Sequence, residues 1–280
     1  ATANSRTGIA GAILAKSLQR ELTRRVEILH VQQPGQGYEL LASAAPDGRT
    51  FGLIAADLTL LHRRGLTVVR PRSVTPLALV NLDPAGIHVR KDSRWRNAKS
   101  LVRRLRDDPG QLRASGSGWR AIWHVAAQRW ALANGFETRS LAWKPMPGPA
   151  AAAQGLVEGG PDIVVCSVPE IRMTRYASGI RTLAVMAARR SQRYPEIAAL
   201  EEFGPGVQAG QWRGVAGPDG MSDAVAAAMT ATLRRVHDSD AYKAEMFGSG
   251  FGLTWADQPR FAAFIDNEDR AVNLALSTID

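Results

Sequence analysis

The chain has 280 residues, 45% of them hydrophobic and 22% charged, a make-up that supports a core divided between two lobes and excludes a disordered, fibrous or membrane-embedded protein. No run approaches eighteen apolar residues, and the single cysteine, Cys166, excludes an internal disulfide framework and any cysteine-based zinc site. The net charge of +9, from 35 Lys and Arg against 26 Asp and Glu, points first to an anionic partner: nucleic acid, acidic lipid or a small acid.

Ala1 to Thr7 carry no basic region followed by an apolar one, so any secretory signal that existed has been removed from this sequence. Ile9, Ile13, Leu14, Leu18 and Leu22 then form a helical stripe, Val26 to Val31 reads as a strand, and Leu40 to Ala45 as a short helix. Asp47-Gly48 turns the chain into a strand over Thr50 to Ala55. Pro76 to Leu82 and Ile87 to Val89 are further apolar stretches, followed by a helix from near Ala98. The basic region 90–106 includes Asp92, is followed by Asp107 and Asp108, and reads as a solvated helix face around Leu101, Val102 and Leu105. With no zinc finger, RNA-recognition signature or helix-turn-helix, a nucleic-acid role rests on net charge alone. The loop Ser115-Gly116-Ser117-Gly118 leads into a helix whose buried face is Trp119, Ile122, Trp123, Ala126, Ala127 and Trp130. Pro149 to Ala153 reads as a helix start, and Ile163 to Cys166, Leu183 to Ala187 and Arg213 to Ala216 as strands. A helix capped by Ser222 and a last helix after Pro259 close the chain. Helices alternating with short strands are the sequence form of a parallel sheet with crossovers.

The five histidines, His30, His62, His88, His124 and His237, show no metal-ligand spacing, so no metal and no cofactor is implied. There is no G-x-S-x-G elbow and no phosphate-binding P-loop. A hydrolase or transferase would use Ser117, His124 or Cys166 and would require a base within hydrogen-bond reach of the nucleophile. The glycine-serine loop admits another use. A turn feeding a helix start leaves backbone N–H groups at the positive end of the dipole, which is an anion site. Thr7-Gly8 is a second such start, and both also read as ordinary capped turns.

Several segments carry a resemblance in register. Val26 to Val31, Pro34-Gly35-Gln36-Gly37 and Ala44-Ala45-Pro46-Asp47-Gly48-Arg49-Thr50 are similar to the strand, P-G-x-G turn and A-P-D-G-Y-T stretch of the tripartite tricarboxylate transporter solute receptors, also called Bug receptors. Asp108-Pro109-Gly110-Gln111-Leu112 with Gly116-Ser117-Gly118 and His124 resembles that family's N-P-G-K-L, glycine loop and P-H-L-A helix. Leu183-Ala184-Val185, Arg189-Arg190-Ser191, Tyr194-Pro195-Glu196-Ile197 and Glu201-Glu202-Phe203-Gly204 follow its next stretch, and Trp212-Arg213-Gly214-Val215-Ala216-Gly217-Pro218 resembles its W-x-G-x-x-A-P.

The resemblance implies an α/β, two-lobed fold of the type II periplasmic-binding-protein kind, each lobe a mixed sheet flanked by helices, joined by two crossing segments. One lobe is expected at 1–97 and 210–280, the other at 98–209. It further implies a noncatalytic periplasmic receptor, a monomer with no nucleic-acid partner, that closes on a small mono- or dicarboxylate, aliphatic or aromatic, and hands it to membrane permease subunits. The implied ligand-facing loops are Asn4 to Gly8, Ala55 to Thr59, Ser115 to Arg120, Lys144 to Pro149 and Cys166 to Val168. They supply Thr7, Gly8, Ala56, Asp57, Ser115, Ser117, Gly118, Trp119, Arg120, Cys166 and Ser167. Departures fall there too. Asp57 is unexpected in an anion cleft and reads as a helix cap, Arg120 either clamps a carboxylate with a bidentate fork or belongs to the solvated face, and Trp119 either stacks on an aromatic ligand or packs. The 144–148 turn is longer and proline-rich, and 34–46 is shorter than usual. The strand and P-x-x-P-G-G turn with which the family opens are missing, which reads as trimming. The rival from another class is the effector-binding module of a transcription regulator.

Overall fold

Side-chain caps open four of the helices at residues suited to the task. Ser5 Oγ accepts from the Gly8 amide at 3.0 Å, Asn97 Oδ1 from Ser100 at 2.9 Å, Ser222 Oγ from Val225 at 3.4 Å and Ser239 Oγ from Tyr242 at 3.3 Å. In this computed structural model, which describes residues 1–279 with the side chain of Thr138 excepted, the elements run in order. They are α1 (Arg6–Leu22), α2 (Gln36–Ala42), β1 (Gly52–Ala55), α3 (Leu58–Leu61), β2 (Val74–Arg90), α4 (Ala98–Asp107), β3 (Leu112–Ser115), α5 (Ile122–Ala133), β4 (Leu141–Trp143) and α6 (Pro149–Val157). Then come β5 (Ile163–Ser167), α7 (Val168–Arg172), β6 (Ile180–Val185), β7 (Gly210–Pro218), α8 (Asp223–Asp238), α9 (Asp240–Gly248) and α10 (Gln258–Ser277).

The chain divides into two units: Ala1–Leu82 with Trp212–Arg270, and Asp83–Gln211 with the chain from Ala271 on. In unit 1, β1 pairs antiparallel with β7, Gly52 opposite Ala216 and Ala55 opposite Arg213, and β7 neighbours β2. Helix α1 packs against α8 and α9. Their apolar faces meet β2 and β7 through Ile13, Leu14, Leu77, Val215, Leu233, Val236 and Met246. Behind β7, the buried Trp212 takes Phe261 and Phe264 edge-on, both at 5.8 Å between ring centroids.

In unit 2, β5 is buried at every residue, as the apolar run Ile163-Val164-Val165-Cys166 demands of a strand covered on both faces. It lies between the antiparallel β2 and the parallel β3, with β4 parallel beyond β3 and β6 antiparallel to β2. Helices α5 and α6 pack on β5.

Three expectations are corrected. Val26 to Val31 forms no strand: no described strand pairs with it, and its burial has no period of two, since Val31 is buried while Leu29, which would share its face, is 76% exposed. Pro76 to Val89 is one strand rather than two, because Asn81 and Asp83, which break the apolar pattern, are themselves buried in it, with Asn81 Nδ2 donating to the Gly252 carbonyl at 2.6 Å. Trp119 precedes α5, which begins at Ile122, so it does not share that helix's buried face.

Gly214 shows how closely β7 is covered. A Cβ there would stand 2.1 Å from Phe261 Cζ and 2.7 Å from the Ala78 carbonyl oxygen. Overpacking of this kind costs about 1–3 kcal/mol. Gly214→Ala should therefore lower the unfolding free energy measured by urea titration by that amount; an unchanged value would mean that Phe261 and the Ala78 backbone both move aside freely.

Candidate functional site

In unit 1 the candidate residues gather where β1 ends. The Ala56 amide donates to the Trp212 carbonyl at 3.2 Å, and Thr59 Oγ1 donates to the Ala56 carbonyl at 2.8 Å, so the turn is fixed and Ala56 buried. Asp57 stands at the N-cap position of α3 but makes no side-chain cap. Its exposed carboxylate accepts instead from the Tyr38 hydroxyl at 2.5 Å. Burial of the hydroxyl and the Asp57 charge push Tyr38 well above the usual phenol range, which keeps it a donor. The aspartate expected to cap a helix is thus held by a phenol.

Opposite Ala55 in the register, Arg213 is only 3% exposed. Its Nε donates to Thr7 Oγ1 at 3.3 Å and its Nη1 to Asn81 Oδ1 at 2.5 Å. Its guanidinium lies 5.1 Å from the Phe251 ring, over which the Arg6 guanidinium also sits, at 3.7 Å. The start of α1 therefore has two guanidinium groups near Thr7, while its Gly8 amide is taken by the Ser5 cap. Neither Arg213 nor Tyr38 was singled out from sequence. The available signal for Arg213 was a lone arginine inside the apolar run Trp212 to Ala216.

In unit 2 the candidates lie at the C-terminal ends of the parallel β3 and β5 and in the loop after β3, where open α/β sheets place ligands. Ser115 and Ser117 are buried, and the Ser115 hydroxyl donates to the Lys144 carbonyl at 2.7 Å. The Ser117 carbonyl accepts from the Met146 amide at 3.2 Å and Trp143 Nε1 at 3.3 Å. These bonds lash the 115–118 loop to the 144–148 turn. Gly116 is required where the loop leaves the sheet: a Cβ would meet the Val165 carbonyl oxygen at 2.0 Å. Cys166 is fully buried, and burial followed by the Glu170 charge pushes its thiol well above the usual range, so it stays protonated. Ser167 is engaged in a capping box with Glu170, its hydroxyl donating to Oε2 at 2.7 Å.

The loop's far end is organised by a histidine. Arg120 has φ 55°, a left-handed conformation that costs a non-glycine residue about 1–3 kcal/mol and persists only where its surroundings impose it. Here its amide donates to Nδ1 of the fully buried His124 at 3.0 Å. That bond puts the imidazole proton on Nε2, which faces the Gln128 side-chain amide at 3.3 Å. Half a turn of that amide brings its oxygen, otherwise unpartnered, onto the N–H. With both nitrogens occupied, His124 serves the loop rather than a nucleophile. Its ring stacks on Trp143 at 4.6 Å and 19° and is covered by Trp119 at 4.5 Å and 45°. Ala121, at the N-cap of α5, supplies no side-chain cap, so the first-turn amides of a twelve-residue helix open beside the partly buried Arg120.

A pocket of about 310 Å³ in unit 2 lies elsewhere, at the starts of β3 and β5. Two of its arginines already face carboxylates, Arg113 with Asp162 and Arg90 with Asp92. Among the described residues no helix is long and apolar enough to cross a membrane, and no group of three His, Cys, Asp or Glu residues could hold a metal ion.

The fold is shared with solved solute-binding proteins, and the sequence places the chain in one family. Residues 14–276 match the family described as Tripartite tricarboxylate transporter family receptor, and the chain belongs to it. A UPF0065 protein in the tcbD-tcbE intergenic region of Pseudomonas sp. (strain P51) is 28% identical over 211 residues, 71% of this chain and 60% of that protein. The match thus spans less than two thirds of that relative's length. A TctC solute binding protein from Polaromonas superposes with a TM-score of 0.87 at 23% identity, covering 98% of this chain and 94% of the other. Rpa4515 of R. palustris, solved with adipate, superposes with a TM-score of 0.76 at 19% identity, covering 99% and 94%.

The buried histidines make stability depend on pH. His88, whose Nε2 donates to the Cys166 carbonyl and whose Nδ1 accepts from the Thr182 hydroxyl, and His124 both titrate at about 4 instead of 6.5. Burial lowers both, with the Arg120 charge adding to it at His124. Between those values the unfolded chain binds more protons than the folded one, so stability is full above about pH 6.5 and falls towards about pH 4. Urea unfolding at about pH 7 and about pH 4.5 should show this fall, and His124→Gln should make it shallower. Equal slopes would remove His124 from the linkage.

Proposed function

We propose that this chain is a periplasmic receptor that captures a small organic acid, a mono- or dicarboxylate, and delivers it to the membrane permease subunits of a tripartite transporter. The observation that carries the reading is the 115–120 loop: a helix start without a side-chain cap, preceded by Arg120, whose backbone amide is held by His124. Backbone amides at a helix start favour an anion by about 0.3–1 kcal/mol through the dipole alone. Charge-assisted hydrogen bonds from amides and guanidinium add about 1.5–3 kcal/mol each, discounted here because Arg120 is only partly buried. Membership of the receptor family and the adipate held by a protein of the same fold support an acid ligand.

The ligand residues under this reading are Thr7, Gly8, Ala56 and Asp57 in unit 1 and Ser115, Ser117, Gly118, Trp119, Arg120, Cys166 and Ser167 in unit 2. Those that are buried or already bonded, Thr7, Gly8, Ala56, Asp57, Ser115, Ser117, Cys166 and Ser167, act through backbone and loop shape; Arg120 acts through its side chain. Binding needs no proton transfer and no covalent step.

A thermal-shift screen of mono- and dicarboxylates should raise the melting temperature for at least one member. No shift with any acid at millimolar concentration overturns the receptor reading. Arg120→Ala should weaken that acid by at least about threefold. Arg120→Gly, which removes the guanidinium while tolerating the left-handed backbone, should do the same. Unchanged affinity in both would return the side chain to solvent.

A further inference from the structure

We propose that the acid this receptor holds is aromatic, and that its ring stacks on the exposed face of Trp119 while its carboxylate meets Arg120; the inference rests on the receptor reading above. Among the described large apolar side chains left exposed, Trp119 is the one aromatic, at 44%. The exposed part of that indole is free to take a second ring in an offset-stacked or edge-on pair. The rest of its surroundings are built for that purpose. Trp143 stacks on His124 at 4.6 Å, Trp119 lies against the same imidazole at 4.5 Å with its plane tilted by 45°, and His124 is the one described ring packed against Trp119.

The loop also fixes where the acid group goes. Arg120 holds a left-handed backbone because its amide is tied to Nδ1 of His124, the same ring on which Trp119 rests. One buried side chain thus orients both residues, whose Cα atoms are about 3.8 Å apart. The left-handed Arg120 and the half-exposed indole of Trp119 are thus adjacent in one loop, both set by His124. The adjacency suits a carboxylate carried directly on the ring or one carbon away.

The experiment compares affinities by calorimetry for benzoate and benzene-1,4-dicarboxylate against cyclohexanecarboxylate and adipate. The wild-type chain should favour an aromatic acid over its saturated counterpart by about threefold to tenfold, the size of one aromatic pair. Trp119→Ala and Trp119→Leu, the second keeping apolar bulk without a π face, should bring that ratio to about one while still binding an acid. A wild-type ratio near one, or a preference that survives both substitutions, overturns the inference and leaves the receptor reading standing. Failure of every acid, aromatic and saturated, to bind is the distinct outcome that removes the receptor reading itself.

Discussion

The hydrogen bond from the Arg120 amide to the buried His124 is the constraint on which the unit 2 site depends. It sets the tautomer of the imidazole and the left-handed turn of Arg120, and with them the place of Trp119 over the ring. Because burial lowers His124 to about 4, the acceptor on Nδ1 persists across the neutral range and the loop has one shape there. Trp143 closes the other side of the ring and, through its indole N–H, holds the Ser117 carbonyl. The loop, the helix start and the 144–148 turn are thereby one assembly, so a ligand meeting it pays little ordering entropy.

Unit 1 reaches a comparable arrangement with different parts. There a buried arginine, Arg213, joins the start of α1 to the end of β1 through Thr7 and Asn81. Tyr38 occupies the one carboxylate in the loop after β1. Both units thus hold a cationic group next to a helix start, which gives the net charge of +9 a local meaning that its diffuse distribution does not.

Much of the fold was legible in the sequence. Ser222 caps its helix as its residue type and place indicate, and the apolar run 163–166 becomes the fully buried strand such a run indicates. What misled was local pattern without a partner. Val26 to Val31 has strand composition, but no described strand lies alongside to pair with it. Trp119 falls at helical spacing with Ile122, Trp123 and Trp130, yet the helix begins three residues later because Arg120 takes a left-handed turn between them.

Sequence by itself determined the fold class, the family and which loops are candidates, because periodicity, capping residues and turn motifs are local and repeat in register along the chain. Tertiary structure alone decided which candidates are usable. Ser167 and Asp57 are engaged by Glu170 and Tyr38, Cys166 is sealed in β5, and Trp119 is turned outward. Arg213 meets Thr7 across 206 positions of sequence. Such contacts join residues with no shared period, and a protonation state or a left-handed turn is set by what surrounds a residue, not by its neighbours in the chain.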